Sequence, residues 1–197
     1  MITVFLFSGC LMVSQAQPTP KPVPPQRDEV VPAAETFQVN ATASTAQGSG
    51  GVTVPITIAI SRYTREHSRV AMTDALKYNG YPGFLRALRE APVAGTLTLG
   101  GRAFSIRWAH QEPREGGRTI TIVTDKPVSF IGLGQADAKS TKGYEVAVVK
   151  LELDSAGHGD GIMAAAARVK PGGEGAVRID DYAEIPVKLT VPGPRAK

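Results

Sequence analysis

Thr36-Phe37-Gln38-Val39-Asn40-Ala41-Thr42-Ala43-Ser44, then Gln47-Gly48-Ser49-Gly50-Gly51, then Val52-Thr53-Val54-Pro55-Ile56-Thr57-Ile58-Ala59-Ile60 decide the fold class. Phe37, Val39, Ala41 and Ala43 alternate with polar residues, as do Val52, Val54, Ile56, Ile58 and Ile60. A period of two puts every second side chain on one face of a strand, so each run has one face to bury. The glycine-rich stretch between them supplies the turn. The pair reads as a long antiparallel β-hairpin.

The same period recurs downstream. Thr96 to Leu99 and Arg102 to Ala109 flank Gly100-Gly101, a two-residue turn suited to a tight hairpin. Phe104, Ile106 and Trp108 share one face on this reading. Glu112 to Gly117 reads as a loop and Arg118 to Thr124 as a strand. Further strands are expected over Tyr144 to Asp154, Ile162 to Val169, Ala176 to Asp180 and Ile185 to Val191. Between the first two hairpins the period becomes helical. Thr64 to Asn79 carries Met72, Ala75 and Leu76, with Thr64 as cap and Asn79-Gly80 as stop; Gly83 to Ala91 carries Phe84, Leu85 and Leu88. The expected fold is therefore α+β and mainly antiparallel β: a sandwich or open barrel of about eight or nine strands with an inserted helical hairpin over residues 64–91. Pro55 and Pro186 each remove a ladder donor from an alternating run, which favours an open sheet with edges over a closed barrel.

Outward from this domain, residues 36–192, lie two segments of other character and a short tail, 193–197. Met1 to Ala16 has no charged residue and is apolar over Ile2 to Phe7 and Leu11 to Val13; Ser14-Gln15-Ala16 offers small residues at a cleavage site. It reads as a secretory signal cut after Ala16. Phe7-Ser8-Gly9-Cys10 also resembles a bacterial lipoprotein acylation box, which keeps open a lipid anchor through Cys10. Residues 17–35 hold six prolines among charged residues and form an extended spacer, without the composition for a core. Export to the periplasm or exterior is expected. A mature chain cut after Ala16 holds no cysteine, hence no disulfide and no thiolate site.

The net charge of +4 is modest and dispersed, which argues against a nucleic-acid partner. Asp154-Ser155-Ala156-Gly157-His158-Gly159-Asp160-Gly161 gathers two carboxylates and an imidazole. It lacks the alternating oxygens of a calcium loop, and Asp and Gly suit a turn. His67, His110 and His158 show no zinc spacing. Asp180, Asp181 and Glu184 read as turn residues, and Gly132-Leu133-Gly134 is too short for a phosphate loop. Arg62, Arg65, Arg69, Lys77, Arg86 and Arg89 load the helical region with positive charge, which reads as a solvated face or as contact with an anionic partner. Arg107, Trp108 and His110, with Tyr81 and Phe84, are the candidate lining of a ligand cleft, Trp108 also reading as core. No catalytic, metal or cofactor residue is assigned.

Leu76-Lys77-Tyr78-Asn79-Gly80-Tyr81, Phe84 to Leu88, Gly116-Gly117-Arg118, Thr121 to Pro127 and Asp181 through Leu189 resemble a group of small exported bacterial proteins with no assigned activity. The resemblance implies export and a shared fold, and no reaction or ligand. The expected function is a non-catalytic exported protein that binds a small ligand or an envelope component. A hydrolase and a structural role in the envelope are the alternatives.

Overall fold

The computed structural model describes residues 32–44, 51–128, 141–173, 175–183 and 185–192. The signal, Cys10, most of the spacer, Gly132 to Gly134, Glu184 and the tail lie outside these. Among the described residues there are nine strands and one helix: β1 (Glu35–Ser44), β2 (Gly51–Ile60), α1 (Glu66–Glu90), β3 (Gly95–Leu99), β4 (Arg102–Arg114), β5 (Gly117–Thr124), β6 (Val146–Asp154), β7 (Gly159–Pro171), β8 (Val177–Tyr182) and β9 (Val187–Val191). Every pairing is antiparallel. β6-β5-β4-β3-β2-β1-β9-β7 are neighbours in that order, and β7 pairs again with β6. The pairing closes an eight-stranded ring.

Neither the sandwich nor the open edges expected from the prolines are found. Pro55 pairs with Asn40 of β1, and the β2–β3 pairing begins only at Ile56. Pro186 precedes β9. In both places the missing N–H falls where the ladder does not run, so a closed ring tolerates it. The seam of the ring is short: β1 meets β9 through Asn40, Ala41 and Thr42 against Thr190, Leu189 and Lys188.

The inward alternation fills the ring. Val39, Ala41, Ile56, Ile58, Leu97, Leu99, Ile106, Ile120, Ile122, Val149, Leu151, Met163 and Leu189 form one buried cluster. An eight-stranded barrel is just wide enough for side chains to fill, and here they do. One polar tie crosses between strands that are not neighbours. Arg118 of β5 donates from Nη1 and Nη2 to the two oxygens of Glu35 on β1, and Tyr63 Oη donates to Glu35 Oε1 at 3.0 Å.

A second cluster lies outside the ring. Met72, Leu76, Phe84 and Leu88 of α1 cover Trp108, Val123, Val146, Val148, Ala164 and Ala167. The wall from β4 to β7 thus buries both faces. Val146-Ala147-Val148-Val149 and Met163 to Ala167 are unbroken apolar runs with every residue buried, as two-sided burial requires. Trp108 joins this outer layer because of a bulge in β4. Ile106 pairs with Thr124 but Trp108 pairs with Val123, and the extra residue, Arg107, reverses the alternation. Trp108 therefore faces away from Ile106 rather than sharing its face.

The two expected helices run as one element, broken only at Gly80 (φ 66°). The bend there is sharp. A Cβ at Gly83 would lie 2.5 Å from the Cβ of Asn79 and 3.0 Å from the Ala75 carbonyl oxygen. The two expected helical segments are thus present and the first stops at Gly80 as expected, but they meet directly there, without a longer connecting loop. Thr64 does not cap it. Its Oγ1 accepts from the Ala109 N–H at 3.0 Å and its own N–H donates to the Ala109 carbonyl, tying the helix entry to β4. The expected loop over residues 112–117 is a hairpin turn at Glu115-Gly116, with β4 running to Arg114. β7 outruns its partner β9: its first part pairs with β9 and its last with β8. β8 is the extra strand and leaves the ring with the end of β7.

Gly83→Ala is expected to lower stability by about 1–3 kcal/mol through overpacking at the bend, read as a lower urea midpoint at unchanged slope. Burial, reinforced by Glu35, pushes the Tyr63 phenol up, and burial does the same to Tyr81, whose Oη accepts from the Glu145 N–H. A raised phenol stabilises the fold fully below its ordinary value and loses that contribution as pH rises through the folded value. Stability is therefore expected to fall above about pH 10. Tyr81→Phe should flatten that fall and remove one late-ionising phenol from an alkaline absorbance titration.

Candidate functional site

The closed register aligns residues of β4 to β9 in rows around the outside of the ring. The first row is Trp108, Val123, Val148 and Ala164, all apolar and roofed by α1. The next is His110, Thr121, Lys150, Ile162 and Lys188. The third is Glu112, Thr119, Glu152, Asp160 and Thr190. Apolar, cationic and acidic side chains thus succeed one another down the wall.

β8 and the Gly172-Gly173 turn stand over this wall and leave a cleft of about 650 Å³ between them. Its floor is Trp108 and Val148; His110, Thr121, Lys150 and Ile162 form the wall; Ala176, Val177, Arg178 and Ile179 form the opposite side. The helix supports this overhang: a Cβ added at Gly175 would lie 3.2 Å from Val70. A guanidinium N–H of Arg69 on α1 donates to His110 Nδ1. That leaves the proton on Nε2, which lies 3.4 Å from Glu112 Oε1. Lys150 pairs with Glu152 at 2.7 Å, an exposed pair of small energetic value. Arg178 has no carboxylate partner among the described residues. Two buried side-chain polar atoms lack a hydrogen-bond partner there: Trp108 Nε1 and Arg69 Nε.

Of the cleft lining expected from sequence, Trp108 and His110 are in place. Phe84 is fully buried beneath the helix. Tyr81 holds Glu145, and Arg107 donates to Asp125 and, at 2.7 Å, to the Ala91 carbonyl that ends the helix. Lys150, Ile162 and the β8 residues carry no sequence motif. Only pairing register brings them together, and the one available signal was the unbroken apolar run over 146–149, which marks a covered outer face.

The other candidates hold structure. Asp154 Oδ1 accepts from the N–H groups of Ala156 and His158, at 2.8 and 2.9 Å, and its carboxyl is held low chiefly by the latter. Its other oxygen is 3.9 Å from His158 Nδ1. Asp160 accepts from Thr190, Asp180 pairs with Lys170, and Asp181 accepts from Tyr144. His67 lines a separate cavity of about 370 Å³ with Arg62, Arg65 and Arg107. Among the described residues no three His, Cys, Asp or Glu side chains group as a metal site.

A depressed carboxyl stabilises the fold above its unfolded value and loses that contribution as pH falls through the folded one. Asp154→Ala is accordingly expected to lower the melting temperature at pH 7, with the gap to the unsubstituted protein closing in acid. Comparison with family models, with curated proteins and with solved structures found no match.

Proposed function

We propose that this chain is a non-catalytic protein that binds a small molecule in the cleft between the outer barrel wall and β8. The observation that carries the reading is the overhang itself. A filled ring has no lumen for a ligand, whereas β8, leaving the ring with the end of β7, encloses a volume of the size that small-molecule sites have, roughly 300–1,000 Å³. Apolar groups such as Val148, Ile162 and Ile179 and polar ones such as His110, Lys150 and Arg178 converge there, the mixture a small-molecule site uses for selectivity.

The reading includes export, as expected from Met1 to Ala16 and from the resemblance to small exported proteins. The hydrolase alternative rests on Asp154, His158 and Asp160, which lie at the β6–β7 turn outside the cleft lining, with Asp154 accepting from backbone N–H groups and Asp160 from Thr190.

Native mass spectrometry of the protein purified from its own compartment tests the proposal. A reproducible added mass is expected. Thr121→Trp, which places an indole into the cleft from an outward-facing position, should remove it while the melting temperature stays within a few degrees. An added mass that survives Thr121→Trp would place the ligand elsewhere. A bare protein in both cases would count against binding and favour an interaction role.

A further inference from the structure

The two orphaned polar atoms are of one kind. Trp108 Nε1 and Arg69 Nε are both donors. Trp108 lines the cleft, and Arg69, which does not, donates to His110 of its wall. Trp108 has no exposed surface. Buried polar groups are normally satisfied, and exceptions call for an explanation. Both atoms are sealed from solvent, so the character of a ligand follows from the groups that line the opening.

The charges point to an anion. Lys150 of β6 and Arg178 of β8 both line the cleft, together with His110. Among the described lining residues Glu112 is the one carboxylate, and it is matched to His110. Glu152 engages Lys150 from the row below, in solvent. Arg178 remains without a carboxylate among the described residues. Beside these groups, Val148, Ile162, Val177 and Ile179 offer an apolar bed.

We infer that the cleft takes an oxyanion carried on an apolar body, such as a medium-chain carboxylate or phosphate monoester. This rests on the reading of the cleft as a binding site. The anionic head lies among Lys150, Arg178 and His110, where charge-assisted hydrogen bonds are strongest. The body lies along Ile162 and Ile179.

Trp108 is the only tryptophan, so its emission reports on the cleft directly. The purified protein is titrated with decanoate, decyl phosphate, decanol and decyltrimethylammonium. Decanoate and decyl phosphate should give saturable changes and bind about tenfold or more tighter than decanol, and their order assigns the head group. The cationic amphiphile should bind more weakly than decanol. Arg178→Ala and Lys150→Ala should each weaken decanoate severalfold and leave decanol unchanged, and Arg178→Lys should recover most of the loss. Both positions are exposed, and an unshifted Trp108 emission maximum in the free variants shows the fold intact. Decanol binding as tightly as decanoate, or charge variants that change nothing, overturns the oxyanion inference while leaving the cleft a binding site. If none of the four binds, and native mass spectrometry shows no Thr121-dependent added mass, the inference and the binding reading fall together.

Discussion

The wall formed by β4, β5, β6 and β7 has to bury both of its faces, and the rest of the molecule follows from that. The inner face is ordinary barrel core. The outer face carries Trp108, Val123, Val148 and Ala164 in one hydrogen-bonded row, a strip that needs a cover. Fully burying one large apolar side chain is worth roughly 1.5–3 kcal/mol, so four aligned positions supply enough to dock a helix. Met72, Leu76, Phe84 and Leu88 provide the other half of that layer. A single residue makes the layer possible. Without the bulge at Arg107, Trp108 would point into a barrel that has no room for it, and the helix would lack its largest partner.

Arg107 serves the arrangement twice. It is the extra residue of the bulge, and its guanidinium fastens the helix end through the Ala91 carbonyl and β5 through Asp125. Thr64 fastens the opposite end of the helix to Ala109, two residues along the same strand. Both ends of the bent helix are thus moored to β4. The roof over the apolar row cannot slide without breaking hydrogen bonds, and the cleft beside it inherits that rigidity.

Period-two alternation made β1, β2, β6 and β9 legible, because each presents one face to the core and the other to solvent along much of its length. Closure was not legible. Pro55 and Pro186 look like edge markers in a linear reading, and only the staggered strand ends show that Pro55 lies before the β2–β3 ladder begins and Pro186 before β9. Nor was the outward turn of Trp108, since a bulge changes the phase of a strand without changing its composition. The break at Gly80 was visible as a helix stop, but the continuation of the helix beyond it depends on close contact between Gly83 and Ala75, which no local pattern encodes. The cleft was half visible: Trp108 and His110 were singled out, while Lys150, Ile162 and Arg178 belong to strands far off in sequence and meet them only through register and the overhang of β8.

The seam between β1 and β9 joins strands from near the two ends of the folded region. Six of the eight joints in the ring can form before β9 is present. The two that β9 makes, with β7 and with β1, cannot: β1 waits with one edge unpaired until β9 arrives. Contacts so distant in sequence are slow to form, and an unpaired strand edge is where a chain pairs with its neighbours instead. The polar residues at the seam, Asn40 and Thr42 facing Thr190 and Lys188, suit that wait. Asn40 and Thr42 give the open form an edge that water can solvate.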